Sequence, residues 1–254
     1  MIFEKIKHFI ISLIIYFKGQ FNSPKEIHHT EIPIIINNFN RLNYLEKLLK
    51  GLEKRGYKNI HILDNQSTYP PLLEFYKKTK HKVHFLDKNY GFRALWKSGM
   101  YHKFKNNYFA YTDPDLEIID ECPDDFLEFF RKALQKNKLW VKVGFSLKID
   151  DIPNHNPLKE NVLLWEKTFY TKRVKTHFFR APVDTTFGLY PPYSFKHVRS
   201  HQAKIFRSDI PYQMRHLPWY VDPKNLSDEE IFYSETTKKE SWLKKISNLD
   251  NNQS

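Results

Sequence analysis

Two carboxylates one residue apart, Asp113-Pro114-Asp115, follow the apolar run from Tyr108 to Thr112. Side chains so placed can share a hard divalent cation, Mn²⁺ or Mg²⁺, that completes its shell with phosphate oxygens of a substrate. The tripeptide also reads as a plain acidic turn, because Asp and Pro both favour turns. Three further polar clusters close apolar runs in the same manner. Asn37-Asn38-Phe39-Asn40-Arg41 follows Ile32-Pro33-Ile34-Ile35-Ile36, Asp64-Asn65-Gln66-Ser67 follows Ile60-His61-Ile62-Leu63, and Asn89-Tyr90-Gly91 follows the run from Val83 to Leu86. Asp64 can accept hydrogen bonds from a nucleobase imide or a ribose, or it can cap a turn. Asn37, Asn38 and Arg41 can line the same cleft, with Asn40 expected to cap the helix that follows. Arg93, just beyond Gly91, either meets a pyrophosphate or is a solvated surface side chain.

The elements between these clusters explain why they should meet. Leu42, Leu45, Leu48, Leu49 and Leu52 repeat at helical spacing and stop near Gly56. A short helix is expected after Pro71, and another helical stretch from Arg93 to Phe104. The order is then βαβαβαβ, which demands a parallel sheet with right-handed crossovers. Ligands of such sheets collect at the carboxyl ends of the strands, where all four clusters fall. That position favours the cation-binding reading of Asp113 and Asp115 over the turn.

Downstream, Phe126, Leu127, Phe129, Phe130 and Leu134 mark an amphipathic helix, followed by a strand from Trp140 to Phe145 and an irregular aromatic-rich stretch to about His216. Ser227 and Glu230 read as a capping box opening a last helix, which also accounts for Asp228-Glu229-Glu230. In Ala181-Pro182-Val183-Asp184-Thr185-Thr186-Phe187 an acid interrupts an apolar, β-prone run. A buried carboxylate must be paired or used; Asp184 can deprotonate an acceptor hydroxyl or pair with a base such as Arg180. Gly-x-Gly-x-x-Gly and Walker loops are absent, so a nucleotide would be held by side chains and metal.

Four segments in order, from Ile34 to Arg41, from Ile62 to Ser67, Asn89-Tyr90-Gly91-Phe92 and Thr112-Asp113-Pro114-Asp115, resemble the motifs of GT-A glycosyltransferases, family 2 and its relatives. The resemblance covers roughly Ile32 to Phe145. It implies an α/β fold of GT-A type: a mostly parallel, Rossmann-like nucleotide-binding sheet flanked by helices, with a mixed acceptor-side C-terminal part. It also implies a nucleotide-sugar donor, with Asp64 near the base, Asn38 near the nucleoside, and Asp113 and Asp115 at the metal. Asn37, Arg41, Asn65, Asn89 and Arg93 complete the candidate donor site. Some GT-A enzymes take a histidine metal ligand from the C-terminal half, a role His216 could fill; a hydrogen-bonded structural histidine is the alternative. Trp219 and Tyr220 beside it could stack on a sugar or belong to the core. The chain departs from the family in having Asn-Phe-Asn-Arg where Thr-Tyr-Asn-Arg is common, and Asn65 where a second acid is common. The Glu-Asp pair usual near the family's acceptor site has no clear equivalent.

Lys and Arg number 41 against 29 Asp and Glu, a net charge of +12. Such a balance suits nucleic acid, an anionic membrane surface or a phosphorylated substrate. The lysines are spread along helices that also carry acids, so no nucleic acid is expected, and a basic nucleic-acid-binding protein remains the weaker alternative. A nucleotidyltransferase making the nucleotide sugar is another, although residues 37 to 41 lack the glycine its phosphate loop wants. The expected partners are a nucleotide-sugar donor and a saccharide or lipid-linked acceptor. One cysteine, Cys122, excludes an intramolecular disulfide framework and a Cys-cluster zinc site and suits a reducing, cytoplasmic compartment. From Met1 to Phe21 apolar residues recur at helical spacing between Lys5, Lys7, His8 and Lys18, but the unbroken apolar run, Phe9 to Phe17, is too short to cross a bilayer. A helix in the interface of an inner membrane face and a helix packed on the domain both fit. The expected organisation is a helix over 1–24, one catalytic domain over 25–247 and a polar tail over 248–254.

Overall fold

Ile34, Ile35 and Ile36 are all fully buried, as befits a strand in the middle of a sheet covered on both faces. The structure, a computed structural model, describes residues 2–21, 25–183, 186–195 and 203–237. Helix α1 (Ile2–Phe21) comes first, and strand and helix then alternate: β1 (Ile34–Asn38), α2 (Asn43–Lys54), β2 (Ile60–Asp64), α3 (Pro70–Lys78), β3 (Lys82–Phe85), α4 (Ala94–Lys97), α5 (Tyr101–Phe104) and β4 (Phe109–Thr112). Next follow β5 (Leu116–Ile118), α6 (Phe126–Lys136), β6 (Lys142–Gly144), β7 (Ser146–Leu147), α7 (Lys159–Lys167) and β8 (Phe178–Arg180). The remainder comprises β9 (Gly188–Tyr190), β10 (Ile205–Ser208), β11 (Gln213–His216) and α8 (Asp228–Thr236).

The large sheet runs β3-β2-β1-β4-β9-β6-β10-β8. Its first four strands are mutually parallel, as the alternating pattern demands, and β10 is parallel to β6. Strand β9 runs antiparallel between β4 and β6, and β8 antiparallel beside β10, so the carboxyl half is mixed. Ile34 and Ile36 join the leucines of α2 and the phenylalanines of α6 in one core, while Ile35 packs with Leu95, Tyr101, Phe104 and Phe109 on the opposite face. Strand periodicity alone divides the isoleucines this way.

Several local expectations shift. The helix expected from Arg93 to Phe104 is broken into α4 and α5 at Gly99, whose φ of +79° is outside the helical region. The strand expected from Trp140 to Phe145 splits at Phe145. β6 stays in the large sheet and β7 leaves for a smaller one, β5-β11-β7. Gly144 faces Gly188 across β6 and β9, where a Cβ on Gly144 would lie 2.5 Å from the Phe187 carbonyl oxygen. Only glycine allows that approach. On β10, Arg207 is buried and pairs with the equally buried Glu166 of α7 at 2.5 Å.

The amino-terminal helix resolves as two-faced. Ile11 and Ile15 pack against Val141, Val183, Ala203 and Ile205. Phe3, Ile6, Phe9, Ile10, Ile14 and Phe17 remain exposed. No described helix is long and apolar enough to cross a membrane.

Candidate active site

In the order β3-β2-β1-β4, successive strands run one way from β1 and the chain then returns to its other side, so β1 and β4 flank a switch point where a crevice opens at the carboxyl edge. Asn37 is the penultimate residue of β1 there and Asp113 follows β4, with Asn37 Nδ2 3.5 Å from Asp113 Oδ1. The same Nδ2 lies 3.4 Å from the Gly91 carbonyl oxygen, to which Asn65 Nδ2 also donates at 3.2 Å. Asn65 Oδ1 accepts from the Tyr90 amide and Asn89 Oδ1 from the Gly91 amide, at 2.7 and 2.8 Å. Gly91 itself has φ +67°. Asn65 and Asn89 therefore shape the loop after β3 and hold it against the ends of β1 and β2. Arg93, at the end of the same loop, is exposed beside Phe92.

Asp64 lies next to Asn38 in the β1–β2 register and is 2 % exposed. Its Oδ1 accepts from Tyr76 Oη at 3.2 Å and its Oδ2 from the Ser67 amide at 3.1 Å. Asn38 donates to the Arg41 carbonyl and to Tyr76 Oη, at 3.0 and 2.8 Å. The Asn37 and Asn38 side-chain oxygens are buried without a hydrogen-bond donor among the described residues. Buried acceptors of that kind ordinarily have partners, so a donor-bearing ligand at this edge meets an existing need.

Asp115 immediately precedes β5 of the smaller sheet. Antiparallel pairing of β11 with β5 sets His216 opposite Leu116, and the Leu217 amide donates to the Asp115 carbonyl at 2.9 Å. His216 Nε2 thereby comes within 3.3 Å of Asp115 Oδ2. Burial works to raise the Asp115 pKa, but His216 and the Arg41 guanidinium together hold it below the ordinary carboxylate range. Asp113 and Asp115 offer two hard oxygen donors at one turn, the minimal protein set for Mg²⁺ or Mn²⁺ bound mainly through substrate phosphates. Among the described residues no three His, Cys, Asp or Glu side chains converge into a complete ligand cage. Trp219 is core, 3 % exposed, whereas Tyr220 is half-buried with its hydroxyl donating to Asp151.

Arg41 is engaged by residues of α8 that the sequence pattern did not tie to it. It is 6 % exposed, pairs with Glu230 at 2.8 Å and stacks over the Tyr233 ring at 3.6 Å. Tyr44 Oη donates to the same Glu230 carboxylate. Glu229, beside it, accepts from the amides of Leu42 and Asn43 at 2.6 and 2.7 Å and so caps α2 across the molecule. Two expectations need correction here. Asn40 does not cap α2: its Oδ1 accepts from the amides of Thr68 and Tyr69, fixing the loop before α3. Nor do the acids of α8 serve mainly their own helix. Ser227 Oγ accepts from the Glu230 amide at 3.3 Å, but the Glu230 carboxylate turns to Arg41, leaving half a capping box. Ser227→Ala should therefore cost about 1 kcal/mol, the usual worth of an N-cap, read as a lower melting temperature.

Asp184 and the tail over 248–254 lie outside the described residues. On either side of Asp184 the chain is anchored: Val183 and Phe187 are fully buried, and the Val183 carbonyl accepts from the buried Lys142 ammonium at 2.7 Å.

Residues 34–191 match the model of a protein family described as Glycosyl transferase family 2, more than half of the 254-residue chain. No curated protein matches it.

Proposed function

The chain belongs to glycosyl transferase family 2, and we propose that it moves a sugar from a nucleotide-diphosphate sugar to an acceptor hydroxyl, with a divalent cation held at Asp113 and Asp115. The observation that supports this reading is the meeting of Asn37 and Asp113, with Asp115 two residues on, at the switch point between β1 and β4, inside the family match. The acceptor is a saccharide or a lipid-linked saccharide, and the product belongs to polysaccharide or glycolipid synthesis at a membrane surface.

Asp113 and Asp115 would hold a Mn²⁺ or Mg²⁺ ion, which when bound would offset negative charge on a departing nucleoside diphosphate. Asp113 and Asp115 supply its protein oxygens, and His216 either joins them or orients Asp115 from behind. Asn37 and Asn65 keep the Gly91 loop closed over the edge of the crevice. Asn38 and Asp64 receive the nucleoside, while Arg41, Asn89 and Arg93 border the phosphates. Asp184 takes the proton of the attacking hydroxyl as general base. A screen of nucleotide sugars for Mn²⁺-dependent hydrolysis, with an EDTA control, tests the donor and the metal together. No hydrolysis with any donor at any metal concentration would remove the proposal.

Asp64 gives a narrower test. Tyr76 and Ser67 fix the direction of its carboxylate, so a nucleobase or ribose donor would meet a prepared acceptor. Hydrogen bonds to charged groups contribute about 1.5–3 kcal/mol, so Asp64→Ala should weaken nucleoside diphosphate binding by roughly tenfold or more in calorimetry. The melting curve of the variant reports any loss of fold, and unchanged affinity would reduce Asp64 to a turn residue.

A further inference from the structure

Helix α1 carries two opposed faces. Ile11, Ser12 and Ile15 lie on a buried stripe against the large sheet. Phe3, Ile6, Ile10, Ile14 and Phe17 recur three and four residues apart on the other side, from 38 % to 77 % exposed. A soluble helix packed on a domain ordinarily turns a polar face outward, and here large apolar side chains take its place. Lys7 and Lys18 are exposed on this helix, and the Lys204 ammonium sits 5.8 Å from the ring centroid of Phe9. A second helix lies on the same side of β10. Ile205 touches α1 and Arg207, two residues on and thus on the same face, pairs with Glu166 of α7. Leu164 and Trp165 of α7 are 70 % and 61 % exposed.

We propose that this side of the molecule, the outward stripe of α1 joined by Leu164 and Trp165 of α7, seats on the surface of an anionic lipid bilayer. Apolar side chains edged by lysines match a bilayer interface, where hydrocarbon lies beneath phosphate. Tryptophan is favoured at that depth for the same reason. A second copy of the chain is the poorer occupant. One face of a 20-residue helix is about 30 Å long and 10 Å wide, on the order of 300 Å² per partner, against the roughly 800 Å² of a stable interface. Lysines on both copies would also approach each other. The inference goes beyond the proposed chemistry and does not depend on it. Membrane seating would bring the acceptor half, which α1 covers, beside lipid-linked substrates.

Co-sedimentation of the full chain with vesicles tests it without an activity assay. Vesicles of phosphatidylcholine mixed with phosphatidylglycerol should bind the parent chain, and binding should weaken as salt rises. Phosphatidylcholine alone should bind at least about tenfold less. A Phe3→Ser/Ile10→Ser/Phe17→Ser chain should lose at least about tenfold of the affinity for the mixed vesicles while keeping its melting temperature. Lys7→Glu/Lys18→Glu, its melting temperature checked in the same way, should reduce binding to the mixed vesicles alone, which separates the charge contribution from the apolar one. Equal binding by parent and variants, or equal binding to neutral and anionic vesicles, would overturn the proposal. So would absence of vesicle binding together with a dimer that the triple substitution dissociates.

Discussion

Asp113→Ala and Asp115→Ala chains are expected to fold and to lose sugar transfer. Both carboxylates lie at a strand-end turn outside the apolar cores, so their removal leaves the packing intact. What changes is charge. In the proposed site two carboxylates would be in place before the nucleotide arrives, and His216 and Arg41 hold the Asp115 pKa below the ordinary carboxylate range against its burial. Each substitution halves the hard-oxygen set on which cation binding rests. Removing one preorganised stabiliser of transition-state charge commonly costs roughly 10²–10³ in turnover, and the loss here should be at least that. The readout is turnover with saturating donor across a Mn²⁺ titration, alongside a thermal melt. Recovery of Asp115→Ala at high Mn²⁺ would show weakened affinity, whereas full parental activity in EDTA would remove the metal from the reaction.

Asp184→Asn should slow transfer by about 10²–10⁴-fold, the usual worth of a general base, with donor affinity unchanged. The amide keeps the shape and can hydrogen-bond but cannot accept the hydroxyl proton. The motive is local. Val183 is pinned by Lys142 and Phe187 by the Phe145 amide at 3.1 Å, so the described chain is held on both sides of position 184. A loss confined to kcat, with KM for the donor preserved, separates a chemical role from a binding role. Configuration of the product by NMR then assigns the role, since a base belongs to an inverting displacement. Near-normal turnover would identify Asp184 as a salt-bridged structural acid.

The donor half was legible because its signals are local. Three isoleucines in a row, a leucine stripe and a polar cluster state strand, helix and strand end within about 20 residues of each other, and parallel topology follows from the alternation. Asp113 was placed at a strand end that way. Arg41 shows the limit. As the fourth residue of a motif it reads as a free cation at a nucleotide site, yet a carboxylate far along the chain, Glu230, holds it. Acids in the first turn of a helix complement that helix's own dipole, and their sequence pattern is the same when they serve another. His216 reached Asp115 through a β5–β11 ladder of three paired residues, too short to announce itself by alternation. The other strands of the carboxyl half are two to four residues long, again too short for alternation to show.

The cap that Glu229 places on α2 sets an order of assembly. The amides of Leu42 and Asn43 open a helix in the first quarter of the chain, and their partner is made only when synthesis has passed residue 229. Until then the nascent donor half has its strands and its leucine core but an unsealed helix start and an uncompensated Arg41. At roughly 5–20 residues per second, that interval lasts on the order of ten seconds or more at the ribosome. The start of α2 and Arg41 are thus secured last, by α8, although they emerge first.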